Sequence, residues 1–152
     1  MNKMERKVNS DMAKKLVAYF STGGVTKRAA ERLAKQEGAD LFEIRPVRPY
    51  TAADLDWTDK NSRSTLEMKN KSSRVEIAER VPHLEQYDEI FLGFPIWWGV
   101  APHIINSFLE QYDLTGKTVS PFATSGGSGY GRSNRELEAS APGATFHPGK
   151  ML

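Results

Sequence analysis

The residues best suited to chemistry fall in three short loops. The first, Ser21-Thr22-Gly23-Gly24-Val25-Thr26, lies between an apolar run and an amphipathic segment. At the start of a helix the first backbone N–H groups have no partner and carry the positive end of the dipole, which suits an anion. Ser21, Thr22 and Thr26 add hydroxyl donors, while Gly23 and Gly24 let the main chain approach closely. This loop has no Gly-Lys-Ser/Thr, so it is not a nucleoside-triphosphate loop, and it has no G-x-G-x-x-G, so dinucleotide binding is not indicated. The same residues serve equally to turn the chain and cap the helix.

The second loop, Pro95-Ile96-Trp97-Trp98-Gly99, leaves the most apolar run of the chain. Paired tryptophans beside Pro and Gly can present a flat face to a ring, and offset stacking contributes about 0.5–1.5 kcal/mol beyond burial. At least one of the two is expected in the core instead. The third loop starts at Thr124 and continues through Ser125, Gly126, Gly127, Ser128, Gly129, Tyr130 and Gly131. Its glycines can expose N–H groups and Tyr130 can cover a face, although glycine-rich turns are often plain surface. Elsewhere the chemistry is thin. His83, His103 and His147 show no metal-ligand spacing, and no serine sits on a nucleophile elbow. Asp54, Asp56 and Asp59 read as solvated loop carboxylates.

Alternating strands and helices would bring these loops together. Lys14 to Phe20 reads as a buried strand, and Val25 to Glu37 as a helix with Ala29, Ala30, Leu33 and Ala34 on one face and Gly38 as its cap. Ala39 to Arg45 reads as a strand anchored by Leu41 and Ile44. A long polar stretch, Tyr50 to Arg80, follows, with helical turns expected near Ala52 to Leu55 and Val75 to Glu79. Ile90 to Phe94 is the strongest strand, Pro102 to Tyr112 a helix, and Lys117 to Ala123 a strand. Ser133 to Ala139 reads as a short helix with Ser133 as N-cap, and Ala144 to Phe146 as a weak last strand. Such alternation implies parallel strands, with ligands beyond their carboxyl ends.

Composition narrows the classes. The chain has 152 residues, no cysteine and a net charge of +2. Absence of cysteine excludes disulfide scaffolds, thiol catalysis and iron–sulfur clusters. A balance this even points to neither nucleic acid nor a membrane surface. Residues 1–12 read as a disordered leader without a secretory apolar core, so a cytoplasmic single domain over 13–152 is expected.

The segment KLVAYFSTGGVTKRAAERLA resembles the opening of the flavodoxin family, in which this loop wraps the phosphate of FMN. Ser21 and Thr26 fall on the family's serine and threonine positions, while Gly23 stands where the family often has a hydroxyl residue. FLGFPIWWGVAPHIINSFL and FATSGGSGYG resemble one branch of that family, in which the first loop packs along the isoalloxazine and a similar glycine-rich loop stands at the second, whose N–H groups could meet the pyrimidine edge of a flavin. PYTAADLDWTDKNSRS resembles the same branch, and implies that Trp57 either lies over the cofactor or pins its loop. The resemblance implies a doubly wound α/β fold with a five-stranded parallel sheet in order 2-1-3-4-5, the order of flavodoxin itself.

It further implies one FMN held by residues of all three loops, with Gly99 or the peptide beside Trp98 turning a carbonyl toward flavin N5. The implied function is electron transfer with no side chain acting as acid or base. An FMN-dependent reductase of quinones or other small acceptors is the rival, and a flavin-free interaction module the second. Partners would be redox proteins or small-molecule acceptors. Two departures stand out. Flavodoxins are strongly acidic and this chain is +2, and the sequence stops near the last strand where relatives continue into a final helix. An apolar patch beside the first helix and a tendency to form homodimers are therefore expected.

Overall fold

Local periodicity becomes a parallel sheet clothed by helices. The computed structural model describes residues 14–124 and 133–152. Along them run β1 (Lys15–Tyr19), α1 (Val25–Glu37), β2 (Asp40–Glu43), α2 (Arg63–Lys69), a 3-10 turn (Leu84–Gln86), β3 (Glu89–Pro95), α3 (His103–Glu110), β4 (Thr118–Thr124), α4 (Ser133–Glu138), β5 (Thr145–Phe146) and β6 (Lys150–Met151). The sheet has the order β2-β1-β3-β4-β5, as expected, with parallel pairing. A sixth strand, β6, also pairs with β4, so the edge position is filled by two short pieces around Pro148. Proline has no N–H to give a ladder, which splits the strand and removes its sequence signal.

Alternation along each strand divides two cores. Leu16, Ala18, Phe20, Ile90, Leu92 and Phe94 pack with Ile104, Ile105, Phe108 and Leu109 of α3 and with Leu137 of α4. Val17, Tyr19 and Phe122 face the other way, onto Ala29, Ala30 and Ala34 of α1. Small residues on α1 let it lie close to the sheet, and both its ends turn through left-handed glycines, Gly24 (φ 88°) and Gly38 (φ 63°). Beside α1, a groove of about 540 Å³ has a mixed lining, with Leu33, Phe91, Phe122 and Leu152 beside Arg32, Glu37, Glu89 and Lys150, rather than a purely apolar one.

Two expectations need correction. Leu41 is 43% exposed and does not anchor β2. Strand side chains alternate, so Leu41 cannot share a face with Ile44, and Phe42 takes its place in the core. Val75 to Glu79 is extended rather than helical, since Pro46 and Ile77 form an antiparallel bridge. The polar stretch also contains α2, whose first turn is capped by the Ser62 side chain accepting from Thr65 N–H.

Candidate functional site

The carboxyl end of β1 turns sharply because Gly24 adopts a left-handed conformation, and Ser21 Oγ accepts from Gly24 N–H at 3.2 Å. Val25 and Thr26 then open α1, so their N–H groups precede the first intrahelical bond. Thr26 is buried, and its Oγ1 lies 2.6 Å from Thr124 Oγ1 at the end of β4. One side-chain hydrogen bond thus joins the first loop to the last residue before the glycine loop. Ser21, Thr22, Gly23, Val25 and Thr26 line a cleft of about 330 Å³, and Pro95, Ile96, Trp97 and Thr124 close its other side. Among the described residues, no carboxylate lines this cleft, and no atom fills the space where a Cβ of Gly23 would stand. It is a concave surface of hydroxyl and N–H donors at a helix start, which can hold an anion.

The aromatic loop is a tight turn. Trp97 N–H donates to Val100 O at 2.8 Å and Val100 N–H to Trp97 O at 3.2 Å. Trp98 and Gly99 occupy the two central positions with φ of 51° and 82°. That is the geometry of a type I′ turn, which normally demands Asn-Gly. The two tryptophans take different roles. Trp97 packs inward, edge-on to Phe20 (5.8 Å) and Tyr50 (5.6 Å), and those two rings meet each other at 5.6 Å. Trp98 stands at the tip of the turn, 49% exposed.

Behind this triangle of rings sits Arg63, which the sequence does not single out. Its guanidinium lies over Tyr50 at 3.8 Å, Nε donates to Glu67 Oε2 at 2.9 Å, and Nη1 donates to Arg48 O at 2.7 Å. Tyr50 Oη donates to Glu67 Oε1 at 2.6 Å, closing the ring of contacts. Burial, and then this bond to a carboxylate, push the Tyr50 phenol far above its usual range, so it stays a neutral donor. Tyr50 also lines a second hollow of about 420 Å³ that shares Ser21 and Thr22 with the cleft. Arg63 and Tyr50 hold the long loop, and Trp57 does not, being 73% exposed.

The carboxylates of this loop cap turns: Asp54 accepts from Thr51 N–H, Asp56 from Thr58 N–H and Asp59 from Asn61 N–H. His103 bonds Ser73 Oγ through Nδ1 at 2.7 Å, and among the described residues no group of His, Asp and Glu could hold a metal ion. Among the described residues, too, no helix is long and apolar enough to cross a membrane. Ser125, Gly126, Gly127, Gly129 and Tyr130 lie outside the described residues.

With this geometry in view, comparison with known proteins is informative. Residues 14–152 match the family model described as Flavodoxin. A search of curated proteins finds no match. A crystal structure from Bacteroides eggerthii, of a protein provisionally called a flavoprotein, superposes with a TM-score of 0.89 at 49% identity, covering 92% of this chain and 88% of the other. Its counterpart from Bacteroides uniformis gives 0.88 at 48% identity, with 92% and 90% covered. A Lactobacillus acidophilus flavoprotein in complex with FMN shares the fold, with a TM-score of 0.74 at 23% identity over 91% and 93% of the chains.

Proposed function

The chain belongs to the flavodoxin family, and from that premise we propose that it binds FMN and carries electrons. What supports this most is the cleft beside Trp97, which the described residues line with hydroxyl and N–H donors and with no carboxylate. Its chemistry fits the two ends of FMN, a phosphate that only accepts hydrogen bonds and a flat ring that stacks. When bound, the isoalloxazine supplies the electron chemistry, and the protein tunes it.

The chain's own residues then have separate tasks. Ser21, Thr22 and Thr26 offer hydroxyls to the phosphate, together with the N–H groups that open α1. Gly23 contributes only main chain, so this cradle has one hydroxyl fewer than many of its family. Trp97, held edge-on by Phe20 and Tyr50, forms a fixed wall. Trp98 at the turn tip is placed to cover the ring and exclude water, which disfavours burial of unpaired negative charge there. Among the described residues, no side chain lining the cleft is an acid or base, in keeping with a carrier.

Purified protein titrated with FMN should quench flavin fluorescence and turn yellow on gel filtration. Free FMN at about 100 times its Kd should stabilise the fold by about 2.7 kcal/mol. A colourless protein that FMN neither binds nor stabilises would sink the proposal. Rapid NADPH oxidation by the protein alone would instead favour a reductase of small acceptors.

A further inference from the structure

We propose that Thr124 is a positioning residue for the phosphate cradle: its hydroxyl donates to Thr26 Oγ1 and so leaves the Thr26 proton for the anion. This rests on the FMN reading above. The two oxygens are 2.6 Å apart, and the residues are 2% and 5% exposed. One hydroxyl comes from the first turn of α1 and the other from the last residue of β4. Each has one proton and two acceptor positions. Two hydroxyls sharing a single bond therefore retain one proton between them for another acceptor.

The neighbour in the cleft decides which proton that is. A phosphate accepts and cannot donate. Beside it, Thr26 must aim its proton into the cleft, and Thr124 must supply the shared bond. Donation onto the Thr26 oxygen also polarises its O–H and strengthens the bond it makes. Ser21 follows the same logic. Its Oγ accepts from Gly24 N–H, which leaves its own proton for the cleft. Both hydroxyls are thus set as donors by a second donor behind them, main chain for Ser21 and Thr124 for Thr26. With Gly23 giving no hydroxyl, few side-chain donors remain and each counts more.

Kd values for FMN and for riboflavin, read by fluorescence titration of the full-length protein, test this. Thr26→Val should loosen FMN about tenfold or more, the scale of one hydrogen bond to a charged group. Thr124→Val should loosen FMN by less, roughly three- to tenfold, because it removes support rather than contact. Neither should move riboflavin, which lacks the phosphate. Thr124→Ser should restore FMN binding, and the double variant should bind FMN no worse than Thr26→Val alone. The positioning role is overturned if Thr124→Val is silent, if it exceeds Thr26→Val, if the two losses add, or if it weakens both flavins alike. If the parent protein binds neither flavin, or Thr26→Val leaves FMN untouched, the phosphate does not sit in this cradle and the underlying reading falls as well.

Discussion

Trp98 holds a backbone conformation in which a bulky side chain is a genuine outlier. Such conformations cost on the order of 1–3 kcal/mol and persist where the surroundings or a ligand require them. Half of the ring is in solvent, so burial compensates little of that cost. Trp98→Asn should therefore stabilise the protein without flavin by roughly 0.5–1 kcal/mol, or about 1–4 °C. The same change should weaken FMN binding by up to about tenfold, the scale of a stacking contact. Parallel thermal melts and flavin titrations separate the two effects, and a destabilised variant with intact affinity would contradict this account. Sequence alone could not divide Trp97 from Trp98. The division depends on a turn type that normally announces itself as Asn-Gly. Arg63 was equally hidden, because its partners Tyr50 and Arg48 lie 13 and 15 residues away and carry no motif.

At the scale of elements, the sheet leaves no room at Gly93. It pairs with Phe122 in the neighbouring strand, and a Cβ there would collide with the Phe122 ring. The ring is packed beneath Ala29 and Ala30 of α1 and cannot swing away freely. Gly93→Ala should cost about 1–3 kcal/mol, as overpacking typically does. Urea unfolding measures it, and a loss of unfolding free energy below about 0.3 kcal/mol would show the ring to be mobile. Most elements were legible because their periodicity is local: β1, α1, β3 and α3 appear within a residue or two of where the apolar pattern puts them. What escaped was α2, β6 and the inward side of β2. The first two are short, and Leu41 misled because a strand buried on one side only obeys strict alternation.

Across the whole molecule, one carboxylate joins two of the helical segments to the polar stretch, beside bonds such as that of His103 to Ser73. Glu110 of α3 accepts two bonds from the Arg74 guanidinium, at 2.7 and 2.8 Å, and a third from Ser140 beyond α4. Hydrogen bonding from Arg74 holds its carboxyl below the ordinary 4.5. The unfolded chain therefore takes up a proton first as pH falls. Its contribution is complete above 4.5, erodes as pH drops toward the lower folded value, and is lost below that value. Melting temperature against pH should fall less steeply in acid for Glu110→Gln than for the parent protein. Identical acid slopes would show that this pair does not govern acid stability.

The broken edge of the sheet has a consequence of its own. A continuous exposed strand offers a template on which further chains can add, the first step toward fibrils. Here β5 and β6 are two-residue pieces separated by Pro148, and His147 N–H is already spent on Val119 O. An incoming strand would find the row of donors interrupted midway, so growth from this side is blocked by covalent chemistry rather than by charge.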